Sequence, residues 1–286
     1  MNCLFVADLQ GKIGHYQKLL QALVVAKPQA LFLGGDLTPS GIMVLVSKNN
    51  SYEHFTREYL IPYFSDLRRR LGEKYPRIFL ILGNDDARIE EGALHEAQNE
   101  GFIEYIHDRR VMLDNHPVYG YAFIPPSPFQ LKDWERYDVS RYVDPGCLSP
   151  ERGLRSVPVS EREIRHATIA ADLAHLAGDD SLDKAIFLFH SPPYRTNLDR
   201  ADLDGRMVDH VPLDVHIGSI AIKEFIKTKQ PLLTLHGHVH ESARLTGSWK
   251  DKIGRTCCLS AAHDGPELAL VYFNPEKPQK ARRELV

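Results

Sequence analysis

Apolar residues in this chain follow two rhythms. The short unbroken runs "CLFVAD" (3–8), "ALFLGGD" (30–36) and "RIFLILGNDD" (77–86) have the length and composition of buried strands, and glycine or polar residues close each one. Between them runs a helical rhythm. Tyr16, Leu19, Leu20, Leu23 and Val24 fall on one face of a helix over 15–27. A longer helical region is expected over roughly 50–72, a helix over 92–100, and a strand in "GFIEYI". Strand and helix alternate, which predicts a largely parallel sheet covered by helices.

The texture changes near residue 117. "VYGYAFIPPSPF" reads as a strand that runs into a proline-broken loop, and about 125–160 carries charges, aromatics and prolines with no period. We read that stretch as an elaborated loop over one face; loops of such length are usually functional or mobile. "SERE" (160–163) fits a capping box, and Ile169, Leu173, Leu176 and Ala177 continue a helical stripe behind it. "KAIFLFH" (184–190) is a buried strand ending in histidine, Ser219 caps a helix over "IAIKEFIKTK", and "PLLTLHGHVHE" (231–241) follows as strand and loop. "RTCCLSAA" and "ELALVYFNP" read as two closing antiparallel strands, and the basic tail "KPQKARREL" as solvated. There is no internal repeat and no clear linker, so residues 1–286 are expected to form a single domain.

Composition narrows the class. The chain has 286 residues, 43% hydrophobic and 26% charged, with net charge −3. That is an ordinary globular balance, with no basic surplus to suggest nucleic-acid or anionic-membrane binding. The N-terminus lacks the regions of a secretory signal, and no apolar run spans a bilayer. Cys3, Cys147, Cys257 and Cys258 are scattered without zinc spacing, which points to a reduced, cytoplasmic protein. The oligomeric state is not set by the sequence.

The chemistry gathers where strands end. Asp8 and Gln10 follow the first apolar run, Asp36 the second, Asn84 the third, His190 a later one, and His238 and His240 the last of the set. In open α/β sheets ligands bind outside the carboxyl ends of strands. Taken singly, each residue reads as a turn, cap or hydrogen-bonded structural group; in order they point to a metal site. The segments "ADLQG", "GGDL", "GNDD", "FH" and "GHVH" resemble the calcineurin-like metallophosphoesterase pattern of D-x-H, G-D, G-N-H-[DE], H and G-H-x-H. The resemblance implies a four-layer α/β/β/α sandwich of two mixed sheets with two divalent metal ions at their edge. It implies that Asp36 bridges them, that Asp8, Gln10 and His240 complete one site, and that Asn84, His190 and His238 complete the other. Carboxylate, amide and imidazole ligands suit manganese first, and also iron, zinc, nickel or cobalt. The implied activity is hydrolysis of a phosphoester by a metal-bridging hydroxide, on a small phosphorylated substrate such as a nucleotide.

Two departures shape the expected function. Gln10 stands where the pattern has histidine, and its neutral amide is a weaker ligand than imidazole. Asp85 stands where the family has the histidine thought to protonate the leaving group. Beside cations a carboxylate stays ionised and is a poor acid. The reading therefore favours phosphodiesters, with phosphomonoesterase or nucleotide pyrophosphatase activity as the alternative, and a non-catalytic metal-binding scaffold as the alternative of another class. Asp86 reads as an outer support or capping residue. His236 reads as a strand-buried bystander. Asn84, Arg195 and His216 are candidates for substrate contact, the last beside a helix N-terminus that can bind an anion. Trp134, Tyr137 and Tyr142 could stack on a nucleobase, although packing of the loop is the preferred reading.

Overall fold

The computed structural model describes residues 1–46 and 54–286. Strands β1 (Cys3–Val6), β2 (Ala30–Gly34), β3 (Arg77–Ile81) and β4 (Glu104–Tyr105) lie parallel and side by side. The chain then starts a second sheet with β5 (Arg109–Leu113), β6 (His116–Tyr121) and β7 (Ile186–Phe189). A small ribbon, β8 (Met207–Val208) with β9 (Val211–Pro212), stands apart. The second sheet is completed by β10 (Leu233–His236), β11 (Lys250–Ile253) and β12 (Thr256–Ser260). Finally β13 (Ala269–Phe273) and β14 (Arg282–Leu285) return to the first. The orders are β14-β13-β1-β2-β3-β4 and β11-β12-β10-β7-β6-β5, both mixed.

The sheets meet face to face, β2 against β7 and β3 against β6. Helices α1 (Ile13–Ala26), α2 (Ile42–Val46), α3 (Ile61–Leu71) and α4 (Glu91–Asn99) belong to the first half, where α1 packs on α3. Helices α5 (Glu161–His166), α6 (Ile169–Ala177), α7 (Ile220–Lys229) and α8 (Ser242–Thr246) belong to the second, where α6 packs on α7 and Phe225 of α7 meets Phe187 of β7 edge-on at 5.0 Å. This is the expected four-layer α/β arrangement. One contiguous cluster of buried apolar side chains extends from Cys3 to Ala281. Among the described residues no helix is long and apolar enough to cross a membrane.

Several expectations are revised. The helix over 50–72 begins with a π turn at Thr56–Leu60 ahead of α3, and residues 50–53 lie outside the described residues. The stripe after "SERE" is two helices: Ser160 caps α5 by accepting from the Glu163 N–H at 3.2 Å, and Thr168 caps α6 by accepting from Ala171 at 3.2 Å. The closing strands do not pair with each other. β12 runs parallel to β10, because the β11 hairpin supplies the return, while β13 crosses to the first sheet and pairs antiparallel with β1. The basic tail is not wholly solvated; its Arg282–Leu285 segment adds an edge strand to β13.

The 125–160 loop is built rather than loose. Trp134 is fully buried, with its ring 4.8 Å from His107 and 5.5 Å from Phe123, and the Arg88 guanidinium lies 5.2 Å over it. Lys132 and Glu135 form a buried ion pair, which Ser127 completes by donating its backbone N–H to Glu135 at 2.7 Å and accepting from Lys132 at 2.8 Å. Asp133 accepts from the backbone of Arg88 and of Ser156, at 2.8 and 2.9 Å. A buried pair is costly unless its remaining hydrogen bonds are met, and here they are. Trp134 and Tyr137 are therefore packing residues, as preferred; Tyr142 stays exposed.

His107 beneath that loop ties stability to pH. Its Nδ1 accepts from the Ala122 N–H at 3.1 Å, which requires the neutral ring. Burial first, then Arg88 and Arg136, push its pKa down to about 3. The unfolded chain takes up this proton near pH 6.5 and the folded chain does not. The contribution is thus fully present above 6.5 and is lost as pH falls from 6.5 towards 3, by up to about 1.4 kcal/mol per pH unit. His107→Gln, which keeps an acceptor and cannot titrate, should flatten this acid slope in urea unfolding between pH 6.5 and 4.5. Parallel curves for variant and wild type would contradict the assignment.

Candidate metal centre

The strand ladders do not stop where the strands do. Past β1 and β2, Asp8 N–H donates to Gly35 O (2.9 Å), Gln10 to Asp36 O (2.7 Å) and Gly11 to Leu37 O (2.9 Å). Past β7 and β10, Gly237 N–H donates to His190 O at 3.0 Å. These bonds hold the two loops of each sheet in register and carry their side chains to one edge. The backbone there is strained: Asp8, Gln10, Asp36 and His238 have φ of 60°, 50°, 51° and 75°. A left-handed non-glycine residue costs on the order of 1 kcal/mol. Glycine is needed where donors crowd the backbone. A Cβ on Gly83 would lie 2.3 Å from Asp36 Oδ1 and 2.7 Å from His190 Cε1, and one on Gly237 would lie 3.0 Å from Asp8 Oδ2.

The donors converge from both sheets. Oxygen or nitrogen atoms of Asp8, Asp36 and His240 all lie within 4.8 Å of one another. His240 Nε2 is 3.6 Å from Asp8 Oδ1, and His190 Nε2 is 3.4 Å from Asp36 Oδ2 and 3.0 Å from Asn84 Oδ1. The His190 and His238 ring centres are 5.3 Å apart. His190 Nδ1 is tied to Gly34 O at 2.8 Å, so Nε2 is the nitrogen turned to the site. Asp8 Oδ2 and His240 Nε2 are buried without a hydrogen-bond partner. Buried orphaned acceptors are costly, and ligands bound at about 2.0–2.2 Å around one cation stand about 3.0–3.5 Å apart. The residues fit divalent metal on both counts.

The electrostatics agree. Burial pulls the His190 pKa down, but the charge and hydrogen bond of Asp36 overcome it and carry it up to about 9. His240 is likewise lowered by burial and raised further by Asp8, to about 9. Burial raises the Asp36 carboxyl, and His190 outweighs burial and holds it down to about 2. His238 is pushed down to about 3 by burial and by the neighbouring His190 charge, so it is neutral and ready to ligate. Imidazolium protons occupy the role that cations would take.

The "NDD" carboxylates divide their work. Asp86 is fully buried and braces the turn after β2: it accepts from Leu37 N–H (2.9 Å), Thr38 N–H and Oγ1 (2.7 Å each) and Gly83 N–H (2.8 Å). Asp85 faces the cleft, with Ser40 Oγ donating to it at 2.6 Å, while its own N–H donates to Asp36 Oδ1 at 2.8 Å. Burial first, then the Asp36 charge, raise the Asp85 pKa against the Ser40 bond. His236 is a buried strand residue, with Nδ1 on Ser191 O (2.9 Å) and Nε2 on Thr234 Oγ1 (2.7 Å).

A cleft of about 630 Å³ opens over this edge, and Gln10, Asp36, Asn84, Asp85, His238 and His240 are among its lining residues. Gln10 is therefore on the wall. The structure does not bring Arg195 there. Its side chain is exposed, with the guanidinium 5.1 Å over the Tyr194 ring, and it lines neither this cleft nor the cavity beside it. His216 lines the adjoining cavity, and its Nδ1 is 2.9 Å from the buried Asp199. The α7 N-terminus beside it is not open to an anion, because Asp138 from the long loop accepts from Ser219 Oγ (2.6 Å), Ile220 N–H (2.7 Å) and Ala221 N–H (3.2 Å). Sequence reasoning missed Ser40, Asp138, Asp199 and Glu241. Their roles come from contacts made across the fold, although Ser40, Asp199 and Glu241 follow Asp36, Arg195 and His240 by four, four and one residues.

The family model described as calcineurin-like phosphoesterase matches residues 1–242. One solved chain superposes with a TM-score of 0.62 at 16% identity, over 99% of this chain and 98% of its own. TT1561 of Thermus thermophilus gives 0.55 at 17% identity, with 99% and 98% covered. A dimetal phosphatase from Danio rerio gives 0.50 at 12% identity, with 95% and 91% covered. At such identities these likenesses speak for the fold. Among curated proteins none matches the sequence. With the family match spanning every strand end that carries a donor, the chain belongs to the calcineurin-like phosphoesterases.

Proposed function

We propose that this phosphoesterase is dinuclear and prefers phosphodiesters, and that residues 1–286 act as one catalytic domain. The observation that carries the reading is the convergence of Asp8, Asp36 and His240 within 4.8 Å, with His190 against Asp36 and Asn84 against His190. Asp36, placed between the two groups of donors, is assigned the bridging position. Asp8, Gln10 and His240 hold one ion; Asn84, His190 and His238 hold the other. Manganese leads for a ligand set without thiolate, and iron, zinc, nickel and cobalt also suit it. The solved dimetal phosphatase with the same fold supports two ions rather than one. Bound by these residues, divalent cations would supply a water nucleophile of lowered pKa and stabilisation of charge on the phosphoryl oxygens.

The chain's own groups do the rest. Asn84 and His216 contact the substrate; Asp199 holds His216 Nδ1, so Nε2 is the nitrogen free to reach it. Asp85, ionised by the cations, accepts from Ser40 and has no proton to give. Leaving groups that need little protonation suit such a site, which favours diesters.

Three outcomes follow. Asp36→Asn should lower bound manganese from two ions to none by elemental analysis, and cut turnover of bis-p-nitrophenyl phosphate by more than about 100-fold, beyond the effect of an outer support. Loss of only one ion would remove Asp36 from the bridge. Manganese binding near pH 7.5 should release about two protons, from His190 and His240, since ligands bind deprotonated. Calorimetry in buffers of different ionisation enthalpy reads this number, and a value of zero would contradict the assignment. Asp85→His should raise the turnover of an alkyl phosphomonoester, whose alkoxide leaves only with a proton, relative to that of bis-p-nitrophenyl phosphate by about 100-fold, the low end of general-acid contributions. An unchanged ratio would mean that proton donation does not set the preference.

A further inference from the structure

A second cavity of about 530 Å³ lies beside the metal cleft and shares Phe129, Ile217, His238 and Glu241 with it. One wall is the long loop, with Val139 and Tyr142; the other is the segment before α7, with Leu203, Val208 and Leu213. Its apolar side chains are unusually open to solvent: Tyr142 is 68% exposed, Phe129 58%, Val139 49% and Ile217 37%. Large apolar groups gathered exposed around one hollow mark a ligand site, whereas single ones do not.

The charges in the cavity are one-sided. Asp138, Asp144, Asp214 and Glu241 line it against a single arginine, Arg206. Asp214 is held in place by the Tyr194 hydroxyl, which donates at 2.6 Å. Burial and the neighbouring Asp214 charge push the Asp144 carboxyl up, which is the sign of carboxylates crowded at the edge of water. His216 offers the wall a hydrogen-bonding nitrogen and is anchored through Asp199. A second anionic group placed here would be repelled by these carboxylates, and an apolar or cationic one would not.

We propose that this cavity seats the organic arm of the substrate: an apolar, ring-sized group, neutral or cationic, joined through a single phosphodiester whose phosphate lies at the metals. The inference rests on the functional reading above and narrows it, because a nucleoside polyphosphate would put further negative charge into the acidic cavity. Tyr142 and Ile217 face the arm from opposite walls, and Asp144 sets the charge it tolerates.

Three p-nitrophenyl phosphodiesters test this on the manganese-loaded full chain, with methyl, phenyl or 4-carboxyphenyl as the second arm. The phenyl ester should exceed the methyl ester by about tenfold or more in kcat/KM, the scale of an apolar group seated in a pocket. The carboxyphenyl ester should fall at least about tenfold below the phenyl ester. Val139→Trp, which fills the cavity from an exposed loop position, should bring the phenyl-to-methyl ratio close to one. Asp144→Lys should reverse the penalty on the carboxylate. Equal turnover of all three esters, unaltered by either substitution, would overturn this inference and leave the phosphodiesterase reading standing. Failure of the methyl ester together with the other two would overturn that reading, and this inference with it.

Discussion

Negative charge held out of water is the constraint on which this structure depends. Asp8, Asp36 and Asp86 are buried at the ends of three adjacent strands of one sheet, and Asp85 is partly buried beside them. Carboxylates so close in a low dielectric repel one another and lose hydration. The fold meets that cost in two ways. Asp86 is satisfied by backbone N–H groups and a hydroxyl, and in return fixes the turn that aims Asp36. Asp8 and Asp36 are left to imidazoles that only the second sheet provides, and to whatever cations those donors hold. Neither sheet builds the centre alone.

That division explains the local strain. Left-handed backbone at Asp8, Asp36 and His238 lies just past the strand ends, where donors of the two sheets come within 3.4 to 3.6 Å of one another. Glycine at 83 and 237 leaves room for the neighbouring ligands to approach. Metal binding would recover the energy stored in these turns, because orphaned acceptors such as Asp8 Oδ2 would gain a partner. The long loop contributes differently. It is anchored by the Lys132–Glu135 pair and by Trp134 at its base, and it leaves Tyr142 and Val139 open at its rim. Rigid footing with an exposed lip is what a substrate wall requires.

Much of the first half is legible in the sequence because period and chemistry coincide there. The runs ending at Asp8, Asp36 and Asn84 are buried on both faces, so they read as continuous apolar segments of parallel strands. The ligand candidates are legible for the same reason: they sit where those runs stop. What escapes is set by pairing at a distance. Nothing local distinguishes Arg282–Leu285, polar at its first three positions and mostly exposed, from a solvated tail; the edge of β13 makes it a strand. β12 is parallel to β10 only because β11 intervenes. Asp138 is one acid among many in an aperiodic loop until α7 is seen to end on it. Arg195 is suggestive in sequence, five residues after His190, but backbone bonds to Asp199 turn its segment so that the guanidinium stacks on Tyr194.

The two departures from the family pattern act together through charge. Gln10 for histidine exchanges one neutral side chain for another on the cleft wall and would leave the net charge of the proposed metal centre unaltered when that histidine is neutral. Asp85 for histidine adds a negative charge inside the cleft, near Asp36. Asp144, Asp214 and Glu241 extend the same sign into the adjoining cavity. A phosphomonoester carries about 1.5 to 2 negative charges near neutrality and a phosphodiester carries one. Approach of the monoester is therefore opposed more strongly by the protein's own carboxylates, independently of any proton it needs at its leaving group. The missing acid and the added charge point the same way, so the diester preference proposed above would extend to monoesters whose leaving groups depart as stable anions.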